Sequence, residues 1–119
     1  MRKYGYENLE FYQLSLKLWD LCWIDTEPFL KDPRGKEIAT QLTRAIGSIS
    51  ANIKEGYGGS STKQYRDFLT YSRGSAQEAR GWYRKSKFLM NHVDIDNRVA
   101  DLESIIGKFT KTIITLGEK

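Results

Sequence analysis

Pro28 and Pro33 are the only prolines in the chain, and they stand within a few residues of each other. The stretches on either side are therefore free of the residue that most strongly breaks helices. No segment shows the strict apolar/polar alternation of a half-buried strand, so these stretches read as helices. The length, 119 residues, suits one domain with one hydrophobic core, and the whole of residues 1–119 is read as that domain.

Turn signals divide the chain into four helices. Asn8 is the expected N-cap of a first helix reaching about Thr26, where Pro28 prevents continuation. Asp32 followed by Pro33 has the form of a cap with proline at the first helical position, opening a second helix that runs to about Glu55 and ends at Gly56. Ser61 with Gln64 has capping-box spacing and starts a third helix running to about Asn91. Asp94 caps the fourth. Connections this short between helices this long make sequential neighbours antiparallel. The expected fold is all-α, an antiparallel up-down-up-down four-helix bundle.

Helical periodicity marks the faces that supply the core. The stripe of helix 2 is Ile38, Leu42, Ala45, Ile46, Ile49 and Ile53. Helix 3 gives Tyr65, Phe68, Ser72, Ala76, Ala79, Tyr83 and Met90, and helix 4 gives Ile95, Val99, Leu102, Ile106, Phe109 and Ile113. Helix 1 is apolar twice over: Phe11, Leu14, Leu18 and Leu21 mark one side, Tyr12, Leu16, Trp19 and Trp23 the other. A helix with two apolar sides is buried on both, so the second side is expected to be an oligomer interface.

Catalytic chemistry has little to work with. One histidine, His92, and one cysteine, Cys22, exclude single-chain metal clusters and Cys/His nucleophile pairs by count. Cys22 reads as a packing residue, and His92 as a side chain at the C-terminal end of helix 3, where a cation is favoured. The segment from Gly56 to Lys63 lacks the spacing of a phosphate-binding loop and follows a helix where that motif needs a strand. It reads as a turn and cap, leaving at most a generic anion site at the start of helix 3. No catalytic residue, cofactor or metal is expected. Nor is a membrane span or signal peptide, so the chain reads as cytoplasmic.

Charge is unevenly placed. The net charge is +4, yet residues 60–91 hold seven Lys/Arg against two acids, a net of +5 that leaves −1 for the rest. At about 100° per residue, Arg66, Arg73, Arg80 and Arg84 share a narrow sector of helix 3, with Lys63 and Lys87 as weaker neighbours. Planar guanidinium forks in a row suit a phosphate backbone. A solvated face, or ion pairs with acids elsewhere, would use the same pattern.

Helix 2 carries a second polar row of Gln41, Arg44, Ser48, Asn52 and Glu55. Arg44 and Glu55 lie about 16 Å apart along the axis, too far to pair with each other. The row is expected to form a polar network with Arg73 and Glu78 of helix 3, with a ligand site as the other reading.

These residues also carry a resemblance. QLTRAIGSISANIKEG (residues 41–56), YRDFLTYSRGS (residues 65–75) with Glu78, and LEFYQLS (residues 9–15) together resemble the four-helix-bundle proteins encoded by intervening sequences in bacterial 23S ribosomal RNA genes. Arg44, Ser48, Asn52, Glu55, Gly56, Arg73, Gly74, Ser75 and Glu78 match that pattern. Ser50, where proline is frequent, and Lys54, where alanine is usual, depart from it. The resemblance implies a ring-like homopentamer with no established enzymatic activity. It also implies kinship with the accessory proteins of diversity-generating retroelements, basic pentameric barrels that associate with a reverse transcriptase and nucleic acid.

The expectation is a non-enzymatic homo-oligomeric adaptor that binds RNA or DNA through helix 3, with a nucleic-acid enzyme as a further partner. The alternative is a structural or protein-interaction ring without a nucleic-acid ligand. Fold alone does not choose between them.

Overall fold

Asp32, Ser61 and Asn91 each turn a side-chain oxygen to a backbone N–H of the first helical turn that follows: Arg34 at 2.8 Å, Gln64 at 3.0 Å and Asp94 at 2.9 Å. These caps open three of the four helices. The computed structural model describes residues 5–118 and comprises α1 (Glu10–Thr26), α2 (Pro33–Tyr57), α3 (Thr62–Lys85) and α4 (His92–Gly117). Short 3-10 turns at Tyr6–Asn8, Glu27–Lys31 and Ser86–Phe88 precede α1, join α1 to α2 and follow α3. Among the described residues there is no strand, and no helix is long and apolar enough to cross a membrane.

Pairs across each seam run in opposite directions, as the short connections require. Trp19 of α1 lies against Gly47 of α2, and the Ser72 hydroxyl of α3 donates to the Ile49 carbonyl of α2 at 2.9 Å. Arg73 of α3 meets Thr110 of α4 at 3.3 Å. The bundle closes where α1 returns to α4: Phe11 packs on Phe109 with ring centroids 4.9 Å apart, while Asp25 at the other end of α1 meets Arg98. The result is a rod of 47 × 19 × 19 Å.

Leu42, Ile46, Ile49, Ile53, Leu69, Tyr83, Leu102, Ile105 and Phe109 are fully buried along the axis. Each such side chain contributes about 1.5–3 kcal/mol of transfer free energy. On α3 the core position belongs to Leu69, with Phe68 half-buried beside it, and on α4 Ile105 is buried deeper than Ile106. On α1 the buried line is Phe11, Ser15, Leu18, Cys22 and Thr26, which keeps Phe11 and Leu18 of the first apolar side and adds three small residues beside them. Small polar residues fit there because Ser15 and Thr26 return their hydroxyls to the carbonyls of Tyr12 (2.6 Å) and Cys22 (2.8 Å).

Four boundaries differ from expectation. Asn8 does not cap α1; it lies in the preceding 3-10 turn, and the capping position falls on Leu9, whose side chain makes no cap bond. Gly56 does not end α2, which continues to Tyr57, and no described glycine has a positive φ. Its hydrogen serves close approach instead, since a Cβ there would stand 2.5 Å from the Phe68 Cβ. α3 stops at Lys85 where Asn91 was expected; the Ser86 hydroxyl folds back onto the Trp82 carbonyl at 2.9 Å as the chain tightens into a 3-10 turn. Asn91, not Asp94, caps α4, and the Asp94 carboxylate accepts from the Asn91 amide at 2.8 Å, a reciprocal box that fixes the earlier residue as the cap. His92 therefore opens α4, exposed, and does not sit among the free carbonyls of a helix C-terminus.

Glycines on these helices divide sharply by surroundings. A Cβ at Gly74 or Gly107 would meet nothing within 4 Å. Gly74→Ala and Gly107→Ala should each raise stability by about 0.5–1 kcal/mol, whereas Gly56→Ala should lower it by about 1–3 kcal/mol through overpacking against Phe68. Urea melts of the three variants check both signs.

Candidate nucleic-acid interface

The helical period divides α3 into three usable sides. Tyr65, Leu69, Ser72, Ala76, Ala79 and Tyr83 form the buried line. The side toward α2 carries Phe68, packed over Gly56. The side toward α4 carries the arginines.

Arg66 reaches the end of α4, where a Cβ on Gly117 would lie 3.0 Å from its Nη1. Arg73 donates from Nη1 to the Thr110 hydroxyl at 3.3 Å. Arg80 places Nη1 3.9 Å from a Glu103 carboxylate oxygen. Each step of seven residues up α3 is matched by seven down α4, so the three guanidinium groups follow one antiparallel register along the seam. All three residues are half-buried, and Arg84, a turn further on, is exposed. The sequence therefore placed the row on one side of α3 correctly, but that side flanks a helix seam and does not stand free. Among the described residues, Arg80 alone of the four has a carboxylate within 4.0 Å.

The weaker neighbours differ from each other. Lys63 pairs with Asp67 at 2.8 Å along the exposed surface, a contact worth a few tenths of a kcal/mol. Lys87 holds its ammonium 5.3 Å from the centre of the Phe88 ring.

The polar network expected between helices 2 and 3 does not form within the chain. Arg44, Glu55 and Glu78 are exposed and make no ion pair among the described residues. Ser48 and Asn52 turn back onto their own helix, to the carbonyls of Arg44 and Ser48, both at 2.8 Å. Arg73 faces α4 rather than Glu55. Ser75 is half-buried, and Gly56 serves packing.

The second apolar side of α1 is partly covered. Tyr12 and Trp19 are half-buried, with Trp19 against Gly47, while Leu16 and Trp23 are 43% and 63% exposed. Ile24 and Leu30 extend the patch at 69% and 46%. A groove of about 370 Å³ lies between Trp23 and Leu30 on one wall and Ala39, Thr40 and Thr43 of α2 on the other.

One polar cluster escaped the sequence reading. Asp25 of α1, with only 7% of its side chain exposed, accepts two hydrogen bonds from Arg98 of α4, from Nε at 2.7 Å and Nη2 at 3.0 Å, and one from the Tyr83 hydroxyl of α3 at 2.8 Å. Pairing with Asp25 holds the Arg98 guanidinium above its usual range. Cys22 is fully buried beside this cluster, and burial pushes its thiol from 9.0 up to about 11. Burial likewise raises the Tyr83 phenol. No periodic pattern advertises such a cluster; an acid near the end of an apolar helix was its only trace.

These placements lead to opposite mutational outcomes. Asp25→Ala strands a buried guanidinium and a phenol and should cost about 3 kcal/mol or more, whereas Glu55→Ala should change stability by no more than about 0.5 kcal/mol. Denaturant melts separate the two. Cys22 should resist alkylation at pH 8 in the folded protein and react once it unfolds. Because the folded thiol keeps its proton while the unfolded thiol ionises, stability should fall as pH rises between 9.0 and about 11.

No curated protein matches this chain. The family model described as 23S rRNA-intervening sequence protein matches residues 7–113, a span that takes in α1, α2, α3 and most of α4, with the arginine row and the polar row of α2. With nearly the whole bundle inside the match, the chain belongs to the family of 23S rRNA-intervening sequence proteins.

Proposed function

We propose that this protein is a non-catalytic homo-oligomer whose α3 arginines hold the phosphate backbone of RNA or DNA. The observation that carries the reading is the row itself. Arg66, Arg73 and Arg80 keep a common register along the α3–α4 seam, Arg84 extends it, and among the described residues one carboxylate, 3.9 Å from Arg80, lies within 4.0 Å of the four cations. From Arg66 to Arg84 the row spans about 27 Å of helix axis. Half-burial of Arg66, Arg73 and Arg80 beside α4 leaves fewer rotamers to freeze on binding, so more of each contact appears as affinity. Phosphate contacts position a ligand without reading its sequence, so binding is tolerant of sequence and steeply dependent on salt.

The exposed patch of Leu16, Trp23, Ile24 and Leu30 supports self-association, because large apolar side chains gathered on one side are normally covered. Five copies is the ring size the family resemblance leads us to propose, and repetition would multiply weak phosphate contacts. A polymerase or other nucleic-acid enzyme is the protein partner that fits such an adaptor, and the cytoplasm is its proposed location. Exposed His92 at the start of α4 and buried, protonated Cys22 offer no paired base and nucleophile, which supports the non-catalytic reading.

The half-burial of the row and the Arg80–Glu103 pair favour a second reading, a protein-interaction ring in which these arginines serve structure. Combining Arg66→Glu, Arg80→Gln and Arg84→Glu, with Arg73 intact, distinguishes the two. Wild type should bind RNA and single-stranded DNA with a steep salt slope, and the assembled variant should lose about two or more from that slope. Equal affinity and slope would establish the structural ring instead. Light scattering before and after Trp23→Glu with Ile24→Glu should show an oligomer that dissociates; a wild type already monomeric at micromolar concentration overturns the self-association.

A further inference from the structure

Where α3 tightens into the Ser86–Phe88 turn, a groove of about 370 Å³ opens between that turn and the start of α2, lined by Asp32, Arg34, Ile38, Lys85, Phe88 and Leu89. Ile38 and Leu89 are half-buried and make an apolar wall. Phe88 stands at 88% exposure, the highest among the exposed large apolar side chains. Its ring packs into neither the core nor the α1 patch.

The charge around that ring is one-sided. Asp32 is the groove's acid, and it is already engaged, accepting from the Arg34 backbone N–H at 2.8 Å and from the Arg34 guanidinium at 3.3 and 3.4 Å. Those bonds hold its carboxyl below the usual range. Lys85 and Lys87 carry no carboxylate partner among the described residues. Their ammonium groups lie 4.7 Å from the Trp82 ring centre and 5.3 Å from that of Phe88. Exposed Arg84 immediately precedes Lys85, so the α3 row leads to this end of the bundle.

We propose that the groove takes an unpaired base of a single-stranded nucleic acid, stacked on Phe88, with the flanking phosphates near Lys85 and Lys87. This rests on the nucleic-acid reading of the arginine row and specifies the form of ligand. An almost fully exposed aromatic ring beside cations that have no carboxylate partner among the described residues matches the two parts of a single strand, a π face and a phosphate. A duplex keeps its base faces stacked and offers the ring nothing. Sequence preference is slight, because every base has a face to stack.

The test compares Phe88→Ala and Phe88→Trp with wild type by fluorescence anisotropy, using an oligo-dT strand and a hairpin duplex of equal phosphate number at fixed salt. Phe88→Ala removes an almost fully exposed ring, so the fold and the oligomer mass should be retained. The expected result is a loss of about fivefold to 150-fold on the single strand, converted from a stacking contribution of about 1–3 kcal/mol per base. Duplex affinity should stay unchanged, and Phe88→Trp should restore single-strand binding. Unchanged single-strand affinity in Phe88→Ala overturns the groove while leaving the arginine row standing. A wild type that binds neither probe overturns both. Displacement of the oligonucleotide by an acidic, aromatic-containing peptide that needs Phe88 more than the strand does would assign the groove to a protein and overturn the proposal.

Discussion

Asp25 ties three helices together. It sits near the C-terminal end of α1, takes two hydrogen bonds from Arg98 of α4 and one from Tyr83 of α3, and is nearly out of contact with water. A carboxylate so placed is tolerable only when its lone pairs are satisfied, so the positions of α3 and α4 relative to α1 are coupled at this level. The coupling matters because α1 is the shortest helix, with 17 residues against 24 to 26 in the others, and its buried line includes Ser15, Cys22 and Thr26. At the opposite end the Phe11–Phe109 contact and the exposed Glu10–Lys108 pair perform the closure. The polar tie supplies direction where apolar packing is thinner.

Helix number, order and two of the four caps were legible in the sequence because each depends on local chemistry. Asp32-Pro33 and Ser61 with Gln64 act within one turn, and the structure forms both caps, with the Gln64 side chain returning to the Ser60 N–H at 3.1 Å instead of that of Ser61. Boundaries failed where two local signals competed. Asn91 and Asp94 are both good caps, and only their reciprocal bond decides for the first. Gly56 has two uses, stopping a helix and admitting a neighbour, and the Phe68 side chain that decides between them arrives from another helix.

The candidate site divides in the same way. That the four arginines share a side of α3 follows from the period alone, but what that side faces depends on the hand in which α4 packs, which no spacing within α3 records. The polar row of α2 was assigned partners because buried charges demand them; its charged members, Arg44 and Glu55, are exposed, so the demand does not arise among the described residues. Phe88 was overlooked because a helix continued to Asn91 would have given it an ordinary place on α3. The early tightening of the chain at Ser86 is what leaves it standing out.

Placement at a seam changes what the arginines can do. A guanidinium on a free surface is mobile and well hydrated, and fixing it on a phosphate removes rotamer freedom worth up to about 2 kcal/mol. Here α4 supplies a wall: Thr110 holds Arg73, Gly117 leaves room for Arg66, and Glu103 attracts Arg80. The Thr110 bond is long and its acceptor is uncharged, and the Glu103 contact lies near the limit of an ion pair, so neither is as strong as a short guanidinium–carboxylate bond. A lysine could not use the same wall, because a compact ammonium lacks the fork that touches α4 with one nitrogen and presents others outward. Arginine at positions 66, 73 and 80 thus lets one row brace the α3–α4 seam while keeping the donors that the proposed polyanion would use.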